Sequence, residues 1–303
     1  MNSKLITVHC SLLTGTDMEL LTADQFSLEE ITEAYNQTRI DYIVPMPMNA
    51  ARLEEYIHHN DVDLSASWVA IDGRPILGLG MLGVRNERAW ITRMGVLPAG
   101  RRKGTGGALM ERLLDSAAER DLNTVWLEVI KNNVPAHNLF LKYGFKKTRE
   151  LVVARRPPTP EIRPPDLLQD VTITQVSTLH RAETLRRMTQ RRGRPNWLAQ
   201  TETMRNVPNL SAFLVETSDG GRGWVSYNAS MFLLTRIYVY VLEGDAPTVT
   251  AAALLTLHRY NPVQDAIMEN MPADDPRWQG FQAMGYFEAF RRIEMVRNYP
   301  SSS

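Results

Sequence analysis

A glycine-rich segment flanked by three cations is the part of the sequence whose residue types indicate chemistry most directly. A predicted strand ends at Val96, and a predicted helix begins among the glycines of Arg101-Arg102-Lys103-Gly104-Thr105-Gly106-Gly107. Glycines let the backbone turn sharply and approach a ligand without a Cβ. The unpaired N–H groups of a first helical turn lie at the positive end of the helix dipole, where anions bind. The segment therefore predicts a pyrophosphate-binding loop.

The spacing within this segment separates it from two other phosphate-binding loops. No glycine is followed by Lys and then Ser or Thr, as the Walker pattern requires. Leu109 stands where a dinucleotide fingerprint has its third glycine. The alternative is a glycine-rich turn with solvated arginines. A phosphate-binding helix start is the stronger interpretation, because it explains both the glycines and the adjacent cations.

The elements that must position this loop alternate between strands and helices. In the first half, strands are predicted at 6–12, 68–71, 76–84, 89–96, 125–130 and 145–154, and helices at 27–38, 49–58, 104–120 and 135–142. Ser27 and Glu30 have the spacing of a capping box, and Asp72-Gly73 is typical of a hairpin turn. This order predicts a mixed α/β domain.

A proline-rich stretch near the middle of the chain predicts a domain boundary. Five prolines lie between Arg155 and Asp166, and such a segment forms a stiff, extended connector. The length of 303 residues suits two domains. We therefore predict a first domain at 1–155, a linker at 156–169 and a second domain at 170–303.

Composition narrows the classes of partner. Lys+Arg and Asp+Glu both total 34, so we expect neither a nucleic acid nor a membrane as partner. The single cysteine, Cys10, fits a reducing compartment, and the absence of a signal peptide or a long apolar run leads us to expect a cytoplasmic protein. The histidines, including His58 and His59, have no metal-ligand spacing, so no metal site is predicted.

The glycine-rich segment, preceded by Val96-x-Pro98, resembles the acetyl-CoA loop of the GNAT superfamily of N-acetyltransferases. A second motif of that family follows in order: Leu127-Glu128-Val129, Asn133-x-x-Ala136, Leu139-Phe140 and Gly144-Phe145. The resemblance implies a central, mostly antiparallel sheet flanked by helices. It also implies transfer of an acetyl group from acetyl-CoA, as co-substrate and without a metal, to a primary amine of a small molecule or peptide.

The resemblance also implies roles for individual residues. The backbone of Met94, Gly95 and Val96 would contact the pantetheine arm, and the Val96 amide would stabilise the oxyanion of the tetrahedral intermediate. Asn133 would contact the cofactor from the other side. The pyrophosphate would be held by the loop residues Arg101, Arg102, Lys103, Gly104, Thr105, Gly106 and Gly107.

Two residues are candidates for proton transfer. Glu128 occupies the position of the base in the similar ribosomal-protein-alanine acetyltransferases; the alternative is a carboxylate that orients a helix or pairs with an arginine. The family usually has a Tyr, as general acid, where this sequence has Phe140. Tyr143, about one helical turn later, is the replacement candidate. The alternative is that Tyr143 only packs at the helix end.

The second half repeats the first at a separation of 141 residues. Phe281, Gly285 and Glu269 fall on Phe140, Gly144 and Glu128, and Ile237 falls on Val96, which indicates a second GNAT-like domain. Its loop, however, reads Leu242-Glu243-Gly244-Asp245-Ala246-Pro247. The exchange of cations for carboxylates predicts a degenerate copy that does not bind CoA. In outline such a tandem resembles the mycothiol synthases, which gives a weaker alternative function.

The remaining signals leave the acceptor open. The run Tyr42–Met48 lies where the family builds its acceptor wall, although these residues would equally cover the core. An arginine-rich stretch at 180–194 is best explained as a solvated amphipathic helix. A non-catalytic acyl-CoA-binding or scaffold protein is the rival to an enzyme. The oligomeric state is open, with a homodimer among the alternatives.

Overall fold

The computed structural model of the chain describes residues 18–44, 46–159 and 161–299. They divide into two compact units, with boundaries after Thr148 and after Ile293; the segment from Glu294 onward belongs to the first unit. The strand predicted at 6–12 and Cys10 lie outside the described residues. No described helix has both the length and the apolar character needed to cross a membrane.

The first unit is a sheet with helices on both faces. Strands β1 to β4 pair antiparallel in chain order, and β4 pairs with β5 in parallel. Its elements are β1 (Met18–Thr22), α1 (Leu28–Thr38), α2 (Ala50–His59), β2 (Val62–Asp72), β3 (Ile76–Arg85), β4 (Arg88–Val96), α3 (Thr105–Ala118), β5 (Thr124–Ile130) and α4 (Val134–Lys142).

Each face of this sheet is packed by a different set of helices. On one face, α3 lies so close to β3 that a Cβ on Gly80 would stand 2.7 Å from Leu113. On the other face, Ile31 and Tyr35 of α1 and Leu53 of α2 form one buried cluster with residues of β3. The capping box predicted at the start of α1 is confirmed, since the Ser27 N–H and the Glu30 carboxylate are 2.8 Å apart. The sheet therefore separates an α3 face from an α1/α2 face.

The second unit has the same order of elements. Within its sheet the strands lie in the order β6, β11, β10, β9, β8, β7, and only β10 and β11 pair in parallel. The elements are β6 (Lys146–Arg156), β7 (Ile173–Thr178), α5 (Arg181–Thr189), α6 (Thr201–Asn206), β8 (Leu210–Thr217), β9 (Arg222–Ala229), β10 (Leu233–Glu243), α7 (Ala246–Tyr260), β11 (Asp265–Pro272), α8 (Arg277–Ala283) and β12 (Phe287–Asn298). The first three residues of β6 and the last five of β12 belong to the first unit. Two mixed-sheet domains in tandem are therefore confirmed.

The predicted ranges 1–155, 156–169 and 170–303 stay a prediction, and the compact units differ from them at two places. Residues of β6 from Leu151 onward pair with β11 and so belong to the second unit. The C-terminal segment belongs to the first unit, where the Tyr299 N–H donates to the Asn123 carbonyl at 2.9 Å and its hydroxyl to the Leu114 carbonyl at 3.0 Å. The compact units therefore divide a few residues before the proline-rich stretch, and the end of the C-terminal strand returns to the first unit.

One detail of the predicted repeat is wrong. The helices α3 and α7 start 141 residues apart, at Thr105 and Ala246. In the strands before them, however, the residue with positive φ at the bulge is Arg93 in β4 and Arg236 in β10 (φ 52° and 53°), which are 143 residues apart. Counted from the bulge, Val96 therefore matches Val239, not Ile237.

Candidate active site

A bulge in β4 places an arginine on the α1/α2 face of the sheet. Regular pairing with β3 is broken between Thr92 and Gly95, and Arg93 has a φ of 52°. Positive φ is uncommon for a residue with a Cβ and occurs where the surrounding structure imposes it. The Arg93 guanidinium lies 4.0 Å from the ring centre of Tyr56 in α2. The bulge thus directs a cation toward the helices that cover this face.

Arg93 is part of an alternating stack of arginines and tyrosines. The Arg39 guanidinium lies 4.2 Å from the Tyr42 ring centre and 5.1 Å from that of Tyr35. The Arg93 guanidinium is 5.2 Å from the Tyr35 ring centre and donates a 2.9 Å hydrogen bond to the Tyr35 hydroxyl. Cation–π contacts of this kind hold the guanidinium groups in place. The stack forms a rigid wall beside the end of β4.

Glu128 lies on β5 just past the point where the parallel pairing stops. That pairing covers Trp90 with Trp126 and ends at Ile91 with Leu127. Because side chains alternate along a strand, Glu128 shares a face with Trp126, whereas Leu127 and Val129 are buried on the other face. The Glu128 side chain therefore points to the face opposite to that of its two neighbours.

The negative charge of Glu128 acts on the pKa of Tyr56. The Tyr56 hydroxyl is 2.6 Å from the Thr92 hydroxyl. Burial is the main cause that raises the pKa of Tyr56, and the negative charge of Glu128 raises it further, whereas Arg93 and the bond to Thr92 act against the rise. Tyr56 therefore remains a neutral phenol beside a carboxylate and a cation.

The backbone of Val96 faces away from β3. The Leu97 N–H donates to the Leu77 carbonyl at 2.8 Å, and backbone groups alternate in direction along a strand. The Val96 N–H and carbonyl therefore point toward the side where the β4–β5 pairing has ended. The carbonyl accepts a 3.1 Å bond from Nε of Arg101. This orientation fits the predicted role of the Val96 N–H as an oxyanion donor.

The start of α3 has the backbone of an anion site. Gly104, the residue before the helix, has a φ of 87° and provides no side-chain cap. The first N–H bonded within the helix is that of Ala108, which donates to the Gly104 carbonyl at 3.0 Å. The Thr105 hydroxyl fixes the turn by donating to the Gly100 carbonyl at 3.0 Å. The N–H groups of the first turn are thus oriented for an anion such as a pyrophosphate.

The three cations of this loop have different surroundings. Arg102 and Lys103 are exposed, and within the described residues neither side chain makes a hydrogen bond or ion pair. Arg101 instead forms a bidentate pair with Asp41, at 2.5 and 2.7 Å. The hydrogen bond from Arg101 lowers the pKa of Asp41. Arg101 therefore connects the loop before α3 to the segment between α1 and α2, a contact that sequence reasoning missed.

Two further predicted residues make bonds within the protein. The Asn133 side chain accepts the Ala136 N–H at 3.3 Å as the cap of α4, and its Nδ2 donates to the Tyr42 hydroxyl at 3.2 Å. The Tyr143 hydroxyl donates to Glu111 at 2.7 Å. Burial, followed by the bond to Glu111, raises the pKa of Tyr143 to about 12. The roles of Asn133 toward a cofactor and of Tyr143 as an acid stay predictions.

Sequence reasoning also missed residues of the α1/α2 face. No sequence motif marks these residues, which are Tyr35, Tyr56, Thr92 and Arg93. Their contacts join different elements, and such contacts leave no periodic pattern in the sequence. Of the run Tyr42–Met48, Tyr42 joins the stack and Met48 packs against the core cluster. The described residues contain no group of three or more His, Cys, Asp or Glu side chains arranged to hold a metal ion.

The arrangement of strands and helices defines the class of protein. A bulged β4, its parallel pairing with β5 and the uncapped start of α3 form the fold of a GNAT acetyltransferase. Residues 28–145 match the model of the Acetyltransferase (GNAT) family. This part of the chain is therefore a domain of the GNAT acetyltransferase family.

One curated relative matches part of the chain, and solved structures share its fold. A stretch of 60 residues is 40% identical to streptothricin acetyltransferase of Streptomyces lavendulae, and it covers 20% of this chain and 32% of that relative. The fold is similar to a GCN5-related N-acetyltransferase from Sphaerobacter thermophilus, with a TM-score of 0.69 and 16% identity over 93% of this chain and 95% of that one. It is also similar to a tandem GNAT protein from the clavulanic acid biosynthesis pathway, with a TM-score of 0.63 and 17% identity over 94% of this chain and all (100%) of that chain.

Proposed function

We propose that the chain is an acetyl-CoA-dependent N-acetyltransferase that acts on a primary amine of a small molecule or peptide. The observation that carries the proposal is the uncapped start of α3 beside the open end of the β4–β5 pair. There Gly104 leaves backbone donors for a pyrophosphate, and Glu128 provides a carboxylate on the adjacent strand. We place the reaction in the cytoplasm as part of this proposal, because acetyl-CoA is an intracellular thioester.

Acetyl-CoA supplies an activated acetyl group with a thiolate leaving group. The N–H groups of the first turn of α3, with Arg102 and Lys103, would hold its pyrophosphate. In the transfer, the amine nitrogen forms a bond to the carbonyl carbon and the bond from that carbon to sulfur breaks. Glu128 accepts the proton that the amine loses. The Val96 N–H donates to the oxygen on which negative charge develops.

The acceptor amine would approach from the α1/α2 face, because Glu128 lies on that face. The stack that contains Arg39 and Arg93 would form one wall of the approach and Tyr56 its floor. Streptothricin acetyltransferase, by its name, acetylates streptothricin. The match covers only 32% of that relative, so the proposed acceptor is not restricted to streptothricin and includes primary amines of small molecules and of peptides.

The test is a panel of amines assayed for release of free CoA thiol and for the mass of one added acetyl group on the amine. The panel includes amino acids, peptides, polyamines, aminoglycosides and streptothricin. Turnover of at least one amine is expected. If the protein binds acetyl-CoA but acetylates no amine in the panel, the proposal fails.

A second candidate is a protein that binds acyl-CoA without turnover. Phe140 replaces the usual acid, and the Tyr143 hydroxyl already donates a hydrogen bond to Glu111. A Tyr143→Phe substitution separates two roles for this residue. A fall in kcat with unchanged melting temperature indicates an acid, whereas a lower melting temperature with unchanged kcat indicates only a link between α3 and α4.

A further inference from the structure

The second unit contains a cavity at the place that corresponds to the reaction centre of the first. Its volume is about 280 Å³. The walls come from β10 at Ile237–Tyr240, from β11 at Met268–Pro272, from α8 and from the segment Arg191–Asn196 that follows α5. Glu269, the repeat of Glu128, is among the lining residues.

The lining carries an excess of positive charge. Five arginines face two carboxylates, those of Glu269 and Asp275, and the arginines are Arg149, Arg191, Arg192, Arg194 and Arg277. Each carboxylate is already paired, Asp275 with Arg277 at 2.5 Å and Glu269 with Arg292 at 3.3 Å. With five arginines against two carboxylates, the lining as a whole has an excess of positive charge, which favours an anion.

The positive charge of Arg191 is held in place by hydrogen bonds to backbone carbonyl groups. Its Nε donates to the Met188 carbonyl at 3.0 Å and its Nη2 to the Ala199 carbonyl at 2.7 Å. Burial lowers the pKa of this arginine. The Glu202 carboxylate acts against this shift, and a half-buried cation whose hydrogen bonds go to carbonyl groups is stabilised further when an anion enters beside it.

The remaining walls are aromatic. Trp224 is buried, and its ring centre lies 5.7 Å from that of Tyr240. The Tyr240 hydroxyl accepts the Arg192 N–H at 3.0 Å, so it fixes the arginine segment against the strand. Tyr238 and Phe281 add further ring surface. Such a lining suits a ligand with a planar, apolar body.

Coenzyme A does not fit this site. The connection between β10 and α7 is only Gly244-Asp245, and the Asp245 carboxylate accepts the Thr248 N–H at 3.0 Å. The start of α7 is thus already capped by a negative charge. A volume near 280 Å³ also lies at the lower end of small-ligand pockets, which is about 300 Å³.

We propose that this cavity is a second ligand site, which binds a small organic anion with a flat, apolar body. The guanidinium groups would pair with its carboxylate or phosphate group, and Trp224 and Tyr240 would pack against its body. Nothing in this proposal depends on catalysis in the first unit.

The experiment is calorimetry on the full chain with four probes: benzoate, phenyl phosphate, inorganic phosphate and the neutral isostere benzamide. We expect saturable binding of benzoate or phenyl phosphate that is about tenfold or more tighter than that of benzamide, as for a charge-assisted contact. The comparison of benzoate with phenyl phosphate identifies the acid group. Tighter binding of inorganic phosphate than of either aromatic anion would contradict the aromatic part of the proposal.

Two variants assign the binding to this cavity. Arg192→Gln, at an exposed lining position, should weaken the binding of the aromatic anion about tenfold without a change in amine acetylation. Arg259→Gln, an exposed arginine of α7 outside the lining, should leave binding unchanged. The proposal is overturned if neither aromatic anion binds, if benzamide binds equally well, or if both variants behave alike.

Discussion

The helices α3 and α7 begin in opposite ways, although they occupy the same place in the two domains. Before α3 stands Gly104, which offers no side chain to the first turn. Before α7 stands Asp245, whose carboxylate accepts both the N–H and, at 2.6 Å, the hydroxyl of Thr248. A helix start that binds an external anion must leave its amides unsatisfied, whereas a structural one satisfies them itself.

The connections before these helices also differ in length. Residues 97–104 separate β4 from α3, whereas only 244–245 separate β10 from α7. The bulges at Arg93 and Arg236 have almost the same φ. The bulged strand is therefore alike in the two domains, and the difference between them lies in the loop before the helix. Two features of the second domain would therefore prevent CoA binding: the shorter connection before α7 and the carboxylate of Asp245 at the start of that helix.

The largest effect is expected from Gly104→Asp, which gives α3 the residue that precedes α7. A carboxylate about 4 Å from a bound pyrophosphate costs on the order of 4 kcal/mol at an effective dielectric constant near 20. Calorimetry should therefore show CoA affinity lowered by roughly 100-fold to 1,000-fold. Gly104→Asn is the matched control, because it has the same strain at φ 87° without the charge. Equal losses in both variants would show that strain, not charge, controls the site.

The two equivalent glutamates provide the next test. Glu128→Gln should lower kcat by about 100-fold to 1,000-fold, the usual contribution of a general base, with little change in the KM for acetyl-CoA. Glu269→Gln changes the same residue in the copy without the loop and should leave kcat unchanged. Kinetics with the best amine of the panel measure both. A kcat for Glu128→Gln within a factor of about three of wild type would reject the base role.

The elements that lie close in sequence were predictable. The capping box at Ser27 and Glu30, the turn at Asp72-Gly73 and the glycine-rich start of α3 depend on residues a few positions apart. The edge strand β1 was not predicted, since all five of its residues are half-buried and show no alternation.

The contacts of the site that join distant residues were not predictable. Asp41 pairs with Arg101 across 60 positions, and Arg93 reaches Tyr35 across 58. The positive φ of Arg93 goes against the preference of its residue type, so no propensity indicates it. The gap-free repeat also hid the two-residue shift between Val96 and Ile237, because α3 and α7, the helices that follow the loop, start 141 residues apart.

His258 is a buried titratable group in the second domain that has no counterpart at the equivalent position of the first. It is buried in α7 and hydrogen-bonded to the Tyr286 hydroxyl at 3.1 Å, whereas α3 has Ala117 at this position. Burial, followed by the charge of Arg156, lowers the pKa of His258 to about 3. The unfolded chain therefore binds the extra proton between about pH 6.5 and pH 3, and the free energy of unfolding falls as the pH is lowered through this range.

Urea denaturation at pH 6.5 and pH 5 measures this effect. At about 1.4 kcal/mol per pH unit, His258 should account for a loss of about 2 kcal/mol between these values. His258→Leu removes the titrating group and should flatten the profile by that amount. Tyr286→Phe, which keeps the ring and removes only the hydroxyl, should retain most of the pH dependence. Parallel profiles for wild type and His258→Leu would show that other groups cause the acid sensitivity.

The smallest effect is expected at the cap of α7. Asp245→Ala removes the acceptor for the Thr248 N–H and should lower the free energy of unfolding by about 1 kcal/mol, whereas Asp245→Asn keeps a capping oxygen and should lose less. Neither variant should gain CoA binding in calorimetry, because Pro247 removes one amide of the first turn and the connection remains short. If Asp245→Asn gained a second CoA site, charge alone would account for the difference between the domains, and the missing backbone would not be required.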